Sequence, residues 1–293
     1  MELIIISGCF IGIICSVLTV LLNANLFCRI VLNKSQRREE MQLFYYRFAL
    51  DFFYGLASCS YIGFTFLILI FPYTVQDLHF LIVYLALPCS NIAACRSIIA
   101  FFIVIERVMA LYFPRIYRIS IERVPNWLVF TVGACFGASE NLALFVICSY
   151  DMEIPEACRF FGCAINKCFF KFWSMHRGII FSVMVVFSIM ISVKLYVLNH
   201  SGLHKSNNQL SKANRLALLD TFTVLLFDIL PAICAVLWPT SYMFDVNHVG
   251  PYNAYLKIIG CVIESFIVTT ILLFGQNSSS VRSTTIAVPS RHS

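Results

Sequence analysis

The sequence predicts an all-α integral membrane protein, a bundle of seven transmembrane helices, and three observations support this class. Hydrophobic residues make up 60% of the 293-residue chain and charged residues only 12%, against about 25% charged residues in soluble domains. The mean hydropathy is +0.83. Seven apolar stretches are each long enough to cross a bilayer core of roughly 30 Å at about 1.5 Å per residue. No soluble domain of appreciable size is therefore predicted.

The predicted helices are taken in order from these apolar stretches. They lie near 4–28, 43–70, 80–111, 127–149, 173–198, 216–238 and 254–274. The first is interpreted as a retained helix rather than a signal peptide, because Glu2 precedes it and its apolar part exceeds about 7–15 residues. Residues 1–275 are thus predicted to form the membrane domain, and residues 276–293 a cytoplasmic tail rich in Ser and Thr.

The distribution of Lys and Arg in the connecting segments predicts the orientation. Twelve basic residues fall on one side: Arg29, Lys34, Arg37, Arg38, Arg115, Arg118, Arg123, Lys205, Lys212, Arg215, Arg282 and Arg291. Four fall on the other: Arg159, Lys167, Lys171 and Arg177. Because basic loops stay in the cytoplasm, the amino terminus is predicted outside and the carboxy terminus inside. The net charge of +6 then reflects lipid-facing and partner-facing cytoplasmic loops rather than a nucleic-acid surface.

The third predicted helix closes with an acid, an arginine and a hydrophobic residue, Glu106-Arg107-Val108. Ionisable groups are costly inside a membrane unless they are paired. This pattern favours a conformational switch at the cytoplasmic end of the helix. The alternative is an interfacial pair whose side chains extend to the lipid headgroups and do nothing else.

This triplet, the seven spans and Pro114, seven residues after Arg107, resemble the rhodopsin-like G-protein-coupled receptors. More narrowly, the short loops and the segments 47–55 and 106–114 resemble the nematode serpentine chemoreceptors of class BC (Srbc). The sequence departs from the rhodopsin-like pattern in its seventh helix, where residues 260–274 contain no Asn-Pro-x-x-Tyr. It also has no Trp two residues before Pro231.

The resemblance implies that Arg107 is released to meet a G protein and that Glu106 is its local partner. A contact that locks Arg107 in the inactive state also needs an acidic residue at the inner end of helix six. Asp220 lies about one and a half turns beyond Arg215, so we expect Arg107 to approach Asp220 in the inactive state. Pro231 should kink helix six and provide a pivot, although a static bend is the alternative.

Three charges are predicted near the middle of the bilayer from helix rise alone. Arg96 lies about 16 Å above Arg107, Asp228 about 18 Å above Leu216, and Glu264 a similar depth into helix seven. An unpaired charge there costs at least about 2.5 to 3.5 kcal/mol, so Arg96 should find a carboxylate, from Asp228 or Glu264. Structural pairing is favoured over the alternative, a cluster that binds a polar ligand.

A second polar group is predicted from Asp51 in helix two with Asn23 and Asn25 in helix one. It resembles the polar core of rhodopsin-like receptors, in which an Asp of helix two can hold sodium. Because Asn-Pro-x-x-Tyr is missing, an interhelical hydrogen bond is favoured over a sodium site.

Three cysteines, Cys158, Cys163 and Cys168, stand in the predicted second outer loop, in an oxidising compartment. We expect at least one disulfide among them or to Cys89, and the connectivity stays open. The resemblance implies a bridge to the outer tip of helix three, but residues 78–88 contain no Cys.

No catalytic motif, metal-ligand set or cofactor motif is found, so the sequence predicts no enzyme, no cofactor and no metal. The resemblance implies a multi-pass plasma-membrane receptor, with the sensory-neuron cilium as one location, that binds a small extracellular molecule and a heterotrimeric G protein. Homo- or hetero-oligomers are a further option. The alternatives are a transporter or channel lined by Arg96, Asp228 and Glu264, and a receptor-like scaffold. The absence of an internal repeat and the odd number of spans speak against a transporter.

Overall fold

The computed structural model describes residues 2–31, 41–72, 74–121, 124–155, 158–200, 208–237 and 251–274. Seven long helices dominate them: α1 Glu2–Leu26, α2 Gln42–Ile70, α3 Leu81–Tyr112, α4 Asn126–Leu142, α5 Lys167–His200, α6 Asn208–Val224 with its continuation Leu230–Leu237, and α7 Tyr252–Thr269. No strand occurs among the described residues, and the prediction of an all-α membrane protein is confirmed.

Short π-helical turns extend or interrupt several of these helices. They are Phe27–Val31 after α1, Ala143–Ile147 after α4, Leu225–Ile229 inside α6 and Thr270–Phe274 after α7. Further short segments are the 3₁₀ turn Gln76–Leu78, the helical turn Pro114–Ile116 with the π-helical turn Tyr117–Ile121, and Phe161–Ala164.

Two helices begin earlier than the apolar pattern predicts. α5 starts at Lys167 rather than near 173, and α6 starts at Asn208 rather than near 216. The first two turns of α6 are polar, and Lys167 and Lys171 interrupt the apolar start of α5; both features lower local hydropathy without breaking a helix. Lys167 and Lys171, which precede the predicted helix, therefore belong to α5. Arg177, which the sequence counts with the outer side, lies in the second turn of the predicted helix and also belongs to α5. The predicted tail, 276–293, lies outside the described residues.

Among the residues that the structure describes, length and composition allow five helices to cross a membrane. They are Leu3–Ile30, Gln42–Ile70, Asn126–Ile147, Lys167–Val197 and Tyr252–Leu272. Large apolar side chains point outward from them, and Leu3, Val146 and Phe266 are 79%, 68% and 62% exposed. An apolar outer surface is what lipid tails require of a membrane bundle.

The third helix holds the centre of the bundle. α3 packs against α2, α4, α5 and α6, while α7 packs against α1, α2 and α6. The segment 148–166 joins α4 to α5 at one end of the bundle, which we call the disulfide end; Glu106 and Arg107 lie at the opposite end, the Arg107 end. Residues of α3 therefore face several helices at every depth.

Small residues allow α4 to approach α3 closely. A Cβ added at Gly137 would lie 2.5 Å from the backbone oxygen of Asn91, and one at Gly133 would lie 3.2 Å from Cys95 Sγ. Gly8 of α1 faces the Tyr255 ring in the same way, at 2.8 Å. Small residues at Gly8, Gly133 and Gly137 therefore let neighbouring helices of the bundle pack closely.

Gly137→Ala should lower the stability of the bundle by about 1–3 kcal/mol, because the new methyl group meets backbone that cannot rotate away. The thermal midpoint of the detergent-purified protein measures the loss. Gly178→Ala on α5 is the matched control, since nothing lies within 4 Å of its added Cβ. Equal midpoints for the two variants would contradict the close α3–α4 contact.

Candidate functional site

Five charged side chains meet in the interior of the bundle and form what we call the ion cluster: Arg47, Asp51, Arg96, Asp220 and Glu264. They come from α2, α3, α6 and α7. None of them is more than 6% exposed. Charges at such burial are stable only when opposite charges and hydrogen bonds compensate them.

Arg96 of α3 binds two carboxylates in the ion cluster. Its Nη2 is 2.7 Å from Glu264 Oε2, and its Nε is hydrogen-bonded to Asp51 Oδ1. The two acids lie on different helices, α7 and α2, so the planar guanidinium joins both to α3.

Arg47 of α2 contacts all three acids of the cluster. Its Nε lies 3.3 Å from Asp51 Oδ2, one helical turn away on the same face. Its Nη1 is 3.3 Å from Asp220 Oδ2, and its Nη2 is 3.1 Å from Glu264 Oε2. A second bond joins Nη2 to Asp220 Oδ1. Arg47 is the residue through which α6 enters the cluster, and sequence reasoning missed it.

The structure brings together Arg96 and Glu264, as the depth argument expects, but it places Asp228 elsewhere. Asp228 Oδ1 lies 3.3 Å from Lys257 Nζ, a pair between α6 and α7 that we call the Lys257 pair. The reason is the early start of α6. Asp220 lies twelve residues after Asn208, about 18 Å along the helix, which is the depth that the sequence argument gave to Asp228.

Arg107 and Asp220, the predicted lock, are not in contact among the described interactions. Asp220 lies at the level of Arg96, and Arg107 follows Arg96 by eleven residues, about 16 Å along α3. Arg107 Nη2 instead lies 3.1 Å from Glu106 Oε1. Tyr117 Oη donates to the same oxygen at 2.9 Å. We call Glu106 and Arg107 the Arg107 pair.

Val108 and Pro231 are the other two residues predicted for the switch, and both are buried. Val108 is buried beside the Arg107 pair in a contact region between α3 and α5. Pro231 is buried and follows the π-helical turn Leu225–Ile229. Irregular hydrogen bonding of this kind accompanies a proline inside a helix.

The predicted polar core of Asn23, Asn25 and Asp51 does not form one group. Asn23 Nδ2 donates to Ser265 Oγ at 2.8 Å and so joins α1 to α7. Asp51 belongs to the ion cluster. Asn25 is half-buried, two positions from Asn23 and so on another face of α1.

A second buried polar group, the Glu140 cluster, joins α3, α4 and α5, and sequence reasoning missed it. Its members are Ser90, Glu140, Trp173, His176 and Arg177. Glu140 is completely buried, and Arg177 Nη2 lies 3.1 Å from its Oε1. Ser90 Oγ donates to Glu140 Oε2 at 2.6 Å. The Arg177 guanidinium also stacks 4.3 Å from the centre of the Trp173 ring.

Two disulfides close the loop at the disulfide end, Cys148–Cys168 and Cys158–Cys163. The second pair lies among the loop cysteines that the sequence singled out. Cys148 was missed because the predicted fourth helix included it. Cys89 is a free, buried cysteine, 3.2 Å from Ser58 Oγ.

Hydrogen bonds fix this loop over the bundle. Tyr61 Oη of α2 accepts from the backbone N–H of Phe161 at 3.1 Å. Tyr150 Oη donates to the Ala164 carbonyl at 2.6 Å, and partial burial raises the pKa of the Tyr150 phenol. The described residues Cys158, Phe160 and Ala164 also pack against the core of the bundle, so this part of the loop is attached to the disulfide end.

Comparison with known proteins assigns the chain to a family. The family model described as "Serpentine type 7TM GPCR chemoreceptor Srbc" matches residues 1–276. The comparison with curated proteins gave no match. A match over nearly the whole chain, together with the helix bundle, shows that this protein belongs to the Srbc family of serpentine seven-transmembrane chemoreceptors.

Proposed function

We propose that this protein is a chemosensory receptor of the plasma membrane, including that of sensory cilia. It binds a small molecule at the disulfide end and signals through a heterotrimeric G protein at the Arg107 end. The observation that carries the proposal is the ion cluster, because it ties α6 to α2, α3 and α7 through buried charges.

The proposed orientation places the disulfide end outside the cell. Disulfides persist in oxidising compartments, and both of those described lie at this end. Arg29, Arg115 and Arg118 lie at the Arg107 end, as the positive-inside rule requires of a cytoplasmic face. The amino-terminal end of α1 then lies outside.

In the proposed resting state, the contacts between Asp220 and Arg47 hold α6 against α2. An outward movement of α6 has to separate these charges, so a ligand must supply a differential binding energy to favour the moved state. Movement at the inner end also loosens the surroundings of Arg107, whose side chain is 2% exposed in the present structure. Release of Arg107 from Glu106 would then present a cation to the G protein.

The transporter alternative fits this geometry less well. A permeation path needs charges that water can reach. Arg96 and Glu264, two of the three residues proposed to line it, are bonded to each other and are 4% and 6% exposed.

Arg107→Ala is expected to reduce receptor-stimulated nucleotide exchange to the rate of the Gα subunit alone. Exchange is measured as uptake of a labelled non-hydrolysable GTP analogue in membranes exposed to a panel of small organic acids, alcohols and ketones. Arg115→Ala, which removes an exposed cation at the same end, is the matched control and should retain stimulation. Full stimulation by Arg107→Ala at equal surface amounts would overturn the proposed switch.

A further inference from the structure

The ion cluster contains three carboxyls and two guanidiniums, so its charges do not balance when all five groups are ionised. Lys257, about two turns before Glu264 on α7, pairs with Asp228, and these two charges cancel. Among the described interactions, no third cation is bonded to the three acids. One negative charge is therefore left over in the interior of a membrane bundle, where an uncompensated charge is costly.

The shortage of hydrogen-bond donors is clearest at one nitrogen atom, Nη2 of Arg47. Glu264 Oε1 and Oε2 lie 3.2 and 3.1 Å from it, and Asp220 Oδ1 is bonded to the same atom. A guanidinium Nη carries two hydrogens, so three carboxyl oxygens compete for two donors. Two carboxyls that share a site in this way do not both ionise near neutral pH, and one of them keeps a proton.

Asp51, the third acid of the cluster, is better compensated. Its Oδ1 accepts a hydrogen bond from Arg96 Nε, and its Oδ2 lies 3.3 Å from Arg47 Nε. Each of its oxygens therefore has a donor of its own, and each arginine supplies one. The leftover charge belongs to Asp220 of α6 and Glu264 of α7, which we call the acid pair.

We infer that the acid pair binds one proton in the resting state, and that this proton is released when α6 moves outward. Once Asp220 has left, the cluster keeps two arginines and two acids, which balance without a proton. Asp220, separated from Glu264, then ionises as a carboxyl ordinarily does near neutral pH. The moved state holds one proton fewer, so low pH favours the resting state. The release step rests on the proposed function, whereas proton binding by the acid pair does not.

The helices packed against the acid pair bring few other titratable groups to it among the described residues. From α2 and α3 come the other members of the ion cluster. On α7, the buried thiol of Cys261 lies one turn before Glu264, and Lys257 lies beyond it with Asp228 as its partner. Hydrogen bonds from α1 and α5 beside the pair are neutral, Asn23 with Ser265 and Ser188 with Thr221. Variants of the acid pair and of Cys261 therefore identify the group that titrates.

The test follows the thermal midpoint of the detergent-purified protein between about pH 5.5 and about pH 8.5. The folded protein holds a proton that the unfolded chain, whose carboxyls are ionised above about pH 5, does not hold. Stability therefore falls as the pH rises, and the midpoint should drop by about 3–5 °C per pH unit until the pair loses its proton. Glu264→Gln leaves two acids opposite two arginines, so this drop should disappear. The infrared band of protonated carboxyls should also be weaker in Glu264→Gln than in the unmodified protein.

Matched variants decide whether the acid pair is the cause. Glu153→Gln, at an exposed acid, and Cys261→Ser should keep the pH dependence of the unmodified protein, whereas Asp220→Asn should lose it as Glu264→Gln does. Because both neutral variants balance the cluster, failure of both to fold would overturn the inference. An equal pH dependence in Glu264→Gln and the unmodified protein would also overturn it. So would a midpoint at high pH that sodium chloride raises and choline chloride does not, because a metal cation would then balance the acids.

The release step is tested through nucleotide exchange, with the rate of the Gα subunit alone subtracted at each pH. Stimulation by the unmodified receptor should rise with pH by up to about tenfold per pH unit, and stimulation by Glu264→Gln should not. A pH-dependent midpoint together with pH-independent stimulation would keep the bound proton and overturn its release. No stimulation at any pH would overturn the proposed function and the release step, while the midpoints would still decide whether the acid pair binds a proton.

Discussion

Arg47→Met is expected to remove most folded receptor from the cell surface. Arg47 contacts Asp51, Asp220 and Glu264, and its loss leaves three buried carboxylates with Arg96 as their one guanidinium in the ion cluster. Breaking a buried ion pair by removing one partner costs about 3–5 kcal/mol, a large part of a total stability of about 5–15 kcal/mol. Surface labelling of an epitope-tagged receptor measures the loss.

Two further variants test whether charge balance is the cause. Arg29→Met removes an exposed arginine at the end of α1 and should leave the surface amount unchanged. Arg47→Met combined with Asp220→Asn removes one charge of each sign and should recover a substantial part of the lost receptor. A double variant no better than Arg47→Met alone would show that packing, rather than charge, makes Arg47 necessary.

Removing the Cys148–Cys168 bridge should lower the stability of the bundle by about 3 kcal/mol. The two cysteines are 20 residues apart in sequence, and the entropy lost by an unfolded chain grows with the loop that a bridge closes. The same relation gives about 2 kcal/mol for Cys158–Cys163, whose separation is 5. Replacing both cysteines of each bridge by Ala, and comparing thermal midpoints in detergent, measures the two effects.

Cys135→Ala, at an exposed free cysteine, is the control for the substitution itself and should not change the midpoint. The order of the two losses is the critical result. A larger loss from the short bridge would mean that the order of the loop over the disulfide end, rather than the length of closed chain, determines how much each bridge contributes.

Hydropathy and helix rise predict the class of the protein and much of its architecture. The all-α class follows from the apolar stretches, and the family agrees with the resemblance carried by the short loops and the segments 47–55 and 106–114. The depth argument also brings Arg96 to Glu264. The same argument places Asp228, rather than Asp220, at the depth of Arg96. The polar first turns of α6 conceal where the helix begins, so its predicted start comes too late in the sequence.

Other parts of the site depend on packing that a sequence does not display. Arg47 lies near the beginning of α2, where an arginine is ordinary, and only its extended side chain takes the charge to the ion cluster. Glu140, Arg177 and Lys257 stand inside apolar stretches, so the rule that identified Arg96 applied to them as well. Their pairing could not be read, because it depends on which helix faces lie together.

α3 has a member in three of the polar groups: Ser90 in the Glu140 cluster, Arg96 in the ion cluster and Arg107 in the Arg107 pair. These positions are spread over about 26 Å of one uninterrupted helix. A small rotation of α3 about its own axis would therefore disturb all three groups in a single step. Information could cross the membrane through the stiffness of one helix, without a relay of side chains that rearrange one after another.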